Sequence, residues 1–168
     1  MIAATIPFVR SFLALTFVLG SLVAGGAAFA PGDEPRFARG TATISTGERK
    51  IVLRVEVART DAQRQRGLMH RRSLDRNAGM VFQYPRATSG AFWMKNTLIP
   101  LDIAFYDARG RILRIMQMKP CRVEACPLYD PRVSYRAALE VNAGSFRRWG
   151  VRRGDRIVLT AVRPPSAG

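Results

Sequence analysis

The apolar residues of this chain come mostly in short runs of strand period broken by turn formers, and that pattern commits it to a β-rich fold. The clearest case is a hairpin: Leu101 to Tyr106 and Ile112 to Met118 flank Asp107-Ala108-Arg109-Gly110, whose Asp and Gly are turn residues. In Ile51 to Val57, Leu53, Val55 and Val57 alternate with Arg54 and Glu56, as a half-buried strand requires. Met80-Val81-Phe82 and Phe92-Trp93-Met94, each preceded by a glycine, read as strands joined by a loop around Tyr84 to Ser89. Leu139-Glu140-Val141 and Arg156 to Val162 complete the set. Thr60 and Gln63 have capping-box spacing, so a short helix is expected from Asp61 to Arg66, stopping at Gly67. A second helical turn opens at Gly144 and Ser145 and runs through Trp149. The expected fold is mainly β (α+β), a compact curved sheet or small barrel of about seven strands with two short helices.

The N-terminus has the layout of a secretory signal: Arg10, an apolar centre from Phe12 to Val23, then small residues with Ala28-Phe29-Ala30 as one cleavage pattern. The uncharged stretch is also long enough, at ~20 residues, to serve as an uncleaved anchor. The expected organisation is a signal peptide over 1–30, a flexible tether over 31–50, a single domain over 51–162 and a disordered tail over 163–168. Removing the leader takes away only Arg10, so the formal charge of +15 becomes +14. That balance raises nucleic acid as a partner, but the export signal and the scatter of arginines without a reading motif argue against it. A basic face meeting an anionic envelope glycan, peptide or lipid surface fits better. Cys121 and Cys126 lie in a loop bracketed by Pro120 and Pro127, and in an oxidising compartment they read first as a disulfide. A redox pair lacks the usual two-residue spacing, and a zinc site needs four ligands where the chain has a single histidine, His70.

The densest cluster of unusual side chains is Phe92 to Ile103. Strand alternation puts Trp93 and Lys95 on one side, and Asp102 and Tyr106 of the next strand can join them, with Glu140 reaching the same surface. As a site, this is a shallow ligand-binding patch of Trp93, Lys95, Asn96, Asp102 and Glu140: an aromatic face, a cation and hydrogen-bond acceptors suited to a sugar or peptide. Asp102 and Glu140 can also serve as a general acid and base on a glycosidic bond if they stand ~5–10 Å apart. As structure, Lys95 pairs with Asp102, Asn96 and Thr97 tie down a turn, and Trp93 covers a core edge. No nucleophile elbow or phosphate loop is present. Met116 and Met118 share a strand face and read as core ahead of a soft-metal site, so neither a metal nor a cofactor is expected.

Gly67-Leu68-Met69, Gly79-Met80-Val81-Phe82, Phe92 to Thr97 with Pro100-Leu101-Asp102, Leu139-Glu140-Val141 with Ala143-Gly144, and Gly150-Val151 with Gly154-Asp155 follow one another in a single order. Together they resemble the DUF192 family over Val52 to Leu159. The resemblance implies a small, compact β-rich domain, often exported, with no established activity. His70 stands where the family more often has an aromatic residue, so the resemblance gives it no role. The expectation is an exported, periplasmic or extracellular, noncatalytic binding or accessory module of the cell envelope. The alternatives are an enzyme acting on envelope glycan or peptide through Asp102 and Glu140, and a partner of a membrane complex held by an uncleaved leader.

Overall fold

The computed structural model describes residues 35–164. The leader read as a signal peptide lies outside them, as do the last four residues of the expected tail. Nine strands and two helices form in the order β1 (Ala38–Ser45), β2 (Lys50–Ala58), α1 (Asp61–Arg66), β3 (Ala78–Thr88), β4 (Phe92–Trp93), β5 (Leu101–Tyr106), β6 (Ile112–Met118), β7 (Leu128–Tyr129), β8 (Tyr135–Asn142), α2 (Ser145–Trp149) and β9 (Arg156–Arg163). Seven strands make one mixed sheet in the order β6-β5-β8-β3-β2-β1-β9, with β2 and β3 parallel and the other neighbours antiparallel. The remaining two, β4 and β7, form a separate antiparallel pair.

This corrects the expectation of a strongly curved sheet or small barrel. The sheet is open. Its outer strands β6 and β9 do not pair along their length; a single bridge joins Arg111 to Arg156 beside a few turn bonds around Ile112 and Gly154. Closure would need a continuous ladder between those edges. The expected tether is also corrected in part, because Ala38–Ser45 pairs with β2 over its whole length. That strand was hidden by its small and polar residues; only Ala38, Ala42 and Ile44 are buried. Likewise β3 runs on to Thr88 through the expected Tyr84–Ser89 loop, and Arg163, assigned to the tail, ends β9.

The two faces of the sheet carry separate cores. One face holds Leu53, Val55, Val57, Val81, Leu139 and Val141, with Phe146 of α2 packed on it. The other holds Met80, Ile103, Phe105 and Ala138, with Phe92 of β4 and Leu68 and Met94 from the loops. Having both faces covered, β5 is buried at all six positions, so the expected solvent side of Asp102 and Tyr106 does not exist. The hairpin of β5 and β6 forms around Asp107, which accepts from the backbone N–H groups of Arg109 and Arg111. The α1 capping box forms as its spacing requires: Thr60 Oγ1 accepts from the Gln63 N–H at 3.2 Å, and Gln63 Oε1 accepts from the Thr60 N–H at 3.0 Å.

Candidate functional site

One side of the second core opens into a cleft, and its walls are built by two turns pinned to each other. The first wall is the end of α1. Gly67 stops the helix at φ 45°, where a side chain is disfavoured and where an added Cβ would stand 3.2 Å from the Phe82 ring. The chain then buries Leu68 and reaches His70, whose backbone N–H donates to the Asn96 carbonyl at 2.8 Å. The second wall is the Phe92–Thr97 segment. Asn96 sits at φ 56°, a left-handed position that asparagine tolerates, and the Thr97 N–H donates to the Met94 carbonyl at 3.0 Å to close the turn. Alternation holds here: Phe92 and Met94 point into the core while Trp93 is 48% exposed.

Beneath both walls is a buried aromatic cluster. Phe92 meets Phe82 and Phe105 edge to face at centroid distances of 5.0 and 5.4 Å, and Phe105 meets Tyr135 at 4.8 Å. The Tyr135 hydroxyl donates to the Gly90 carbonyl at 2.6 Å, holding the chain just before β4. Arg64 of α1 lies over the Tyr84 ring, 4.9 Å from its centroid, and is fixed by Asp61 and by the Gln83 carbonyl. These contacts make the floor rigid.

Glu140 of β8 lines the cleft from below, together with Phe82, Phe92, Trp93, Thr97 and the Gly67–Met69 turn. The space is narrow, about 30 Å³ for water-sized groups. On the far side of Trp93 it adjoins a broader groove of about 260 Å³ along Asp61, Arg64, Gln65 and Tyr84. Glu140 pairs with Met80 on one side and Ile103 on the other, both apolar, and is 4% exposed. Burial alone acts on its carboxyl, with no hydrogen bond to it from a described residue, and since no sealed side-chain oxygen among the described residues lacks a partner, its oxygens reach the cleft. Burial pushes its pKa up to about 8, with no neighbouring cation offsetting the cost of charge, so at neutral pH it is mostly the protonated acid.

The other expected site residues divide. Lys95 borders the same segment, but its Nζ pairs with Glu124 Oε1 at 2.6 Å and not with Asp102. That pair ties the Phe92–Thr97 segment to the Cys loop, and Lys95 beside it holds the Glu124 carboxyl below its ordinary value. Cys121 and Cys126 are disulfide-bonded, with Cα atoms 5.9 Å apart, and Cys121 bridges to both Lys95 and Thr97. Asp102 belongs elsewhere. Register places it beside Val141 on the first core, while Glu140 faces the second, so the sheet itself separates the two carboxylates. Asp102 Oδ2 accepts from the Phe146 backbone N–H at 3.3 Å and Oδ1 from Gln117 at 3.4 Å. Since α2 begins at Gly144 with no side-chain cap of its own, Asp102 supplies the missing acceptor from a neighbouring strand. The proposed acid and base pair is therefore not formed.

Sequence reasoning missed Arg64, Thr97 and the Gly67–Met69 turn as parts of this wall. Their only signal was the resemblance motif around Gly67 and the Thr that ends the Trp-Met-Lys-Asn-Thr block. A further cleft between β2 and the 71–79 segment includes Arg54 and Arg71, but these are paired with Asp75 and Glu56. Among the described residues, no three His, Cys, Asp or Glu side chains come together as a metal site.

The model of the DUF192 family, described as an uncharacterized ACR, matches residues 42–159. A crystal structure from Sinorhizobium meliloti 1021, provisionally named a transcription regulator, is 36% identical and superposes with a TM-score of 0.70, covering 75% of this chain and 97% of that one. A protein of unknown function from Novosphingobium aromaticivorans DSM 12444 is 33% identical with a TM-score of 0.66, covering 70% of this chain and 83% of that one. No curated protein matches the chain.

Proposed function

The chain belongs to the DUF192 family, and from that premise we propose that it is a noncatalytic binding module of the cell envelope, exported by its leader to the periplasm or beyond, whose contact patch is Trp93 with Lys95 and Asn96 at the rim and Glu140 on the cleft floor. The observation that carries this reading is the contrast between Trp93 and its neighbours. Phe82, Phe92, Phe105 and Tyr135 are all buried, yet Trp93 stands half exposed on the rigid floor they make, between two grooves. An exposed aromatic on rigid backing loses little freedom when a sugar ring stacks on it. Asp102 is left out of the patch because it faces the other core. With it goes the second carboxylate that glycoside hydrolysis would need.

The regulator name of the Sinorhizobium meliloti protein is not carried over. The helices among the described residues span six and five residues, too short to present a recognition helix to a major groove. No described helix is long and apolar enough to cross a membrane.

The test is retention on isolated envelope glycan, compared between wild type and Trp93→Ala. The variant is expected to melt within a few degrees of wild type, since the side chain covers little core, and to lose about tenfold or more in retention. Equal retention by the two proteins would sink the proposal. A docked protein partner is the second reading, favoured by Val123 and Leu128, 63% and 68% exposed on the stapled loop and on the strand paired with Trp93. Leu128→Ser would weaken such a partner and leave glycan retention unchanged.

A further inference from the structure

Resting on the binding role above, we infer that Glu140 sets the ligand class of the cleft: its carboxyl hydrogen-bonds the acetamido group of an amino sugar whose ring lies against Trp93. Three observations converge on this. The carboxyl lines the cleft and no described residue hydrogen-bonds it, so a polar group is presented to whatever enters. Leaving such a group unpaired costs stability, and a ligand that pairs it recovers that cost. The narrow space admits the tip of a substituent and not a whole ring, which keeps the sugar outside against the indole. Phe82, Phe92 and Leu68 line or pack around this space with apolar surface that suits the methyl half of the acetamido group.

The charge around the carboxyl selects in the same direction. Arg64 and Arg66 of α1 line the same cleft, Arg64 is paired with Asp61, and Tyr84 of β3, hydrogen-bonded to Tyr135, feels Arg64, Asp61 and Glu140 together. A ligand ammonium would meet an uncharged acid and gain no ion pair from it. An acceptor oxygen meets a donor. Glu140 keeps its proton through neutral pH and loses it as pH rises through about 8, after which it can only accept. Binding of the acetamido group should therefore weaken on the alkaline side, and an amide in place of the acid should remove that dependence.

The experiment is calorimetric titration of the full chain with an N-acetylglucosamine trimer and with a glucose trimer, which is uncharged and lacks the acetamido groups. Wild type is expected to prefer the acetylated trimer by about tenfold at pH ~6 and to lose most of that preference by pH ~9.5. Glu140→Gln, which donates from its amide at every pH, is expected to bind the acetylated trimer alike at both. Melting curves of each protein at each pH verify that it is folded. Binding of both trimers equally, or a preference that ignores pH in wild type, overturns this inference and leaves the binding role intact. Binding of neither trimer while Trp93-dependent retention on envelope glycan persists overturns the acetamido assignment alone. Loss of that retention as well overturns both.

Discussion

At the scale of single residues, Asp102 and Glu140 show how two buried carboxyls of similar exposure take opposite roles. Asp102 is 5% exposed and accepts two hydrogen bonds, one from the otherwise uncapped start of α2. Removing it leaves the Phe146 N–H buried without a partner, so Asp102→Ala is expected to lower stability by about 1–3 kcal/mol, while Asp102→Asn, which retains an acceptor oxygen, should lose less. Chemical denaturation of the two variants checks this, and equal stability of wild type and Asp102→Ala would contradict the capping role. Glu140 is 4% exposed, and burial acts on its carboxyl with no hydrogen bond from a described residue to offset it. Alternation within β8 was legible in the sequence, since Leu139 and Val141 plainly share one face. Which face Asp102 joined was not, because that depends on the β5–β8 register, and register is a long-range property that a run of residues does not state.

At the scale of elements, strong local signals were legible and weak ones were lost. The α1 capping box and the Asp107–Gly110 hairpin rest on contacts within a few residues, and both form where the residues place them. By contrast β1 carries mostly small and polar residues, with Ile44 its one large apolar side chain, and its pairing with β2 and β9 is what makes it a strand. Trp93 sits on a two-residue strand whose partner, β7, lies beyond the disulfide, so the patch depends on a loop far along the chain. The disulfide, the Lys95–Glu124 pair and the bridges from Cys121 to Lys95 and Thr97 all fasten that loop to the site. Replacing both cysteines by serine is expected to cost about 2 kcal/mol by loop closure alone, with the loss of protection in amide hydrogen exchange concentrated in residues 92–97 and 121–129. Loss spread evenly over the sheet would mean that the staple supports the whole fold.

At the scale of the whole molecule, an open sheet with a core on each face gives β5 and β8 no solvent side, and polar residues on them must be capped, paired or kept for use. Glu140 is the one kept for use in this account, and its burial has a global cost that can be measured. Its pKa in the folded protein, about 8, lies above the ordinary carboxyl value of 4.5. The folded state therefore holds a proton that the unfolded chain releases between those values, and stability falls as pH rises through that window and levels off above it. The basic excess of the chain is no substitute for this group: it is spread over 27 lysines and arginines, several of them already paired with carboxylates. The most direct measurement is the melting temperature of wild type and Glu140→Gln at pH ~4.5 and pH ~8.5. Near-equal melting is expected at the acidic pH, and at the alkaline pH a variant more stable by about 2–4 kcal/mol, or roughly 10 °C, as befits an acid retained for binding at the expense of stability. A variant that melts below wild type at both pH values would show that Glu140 holds the sheet together and would contradict the site.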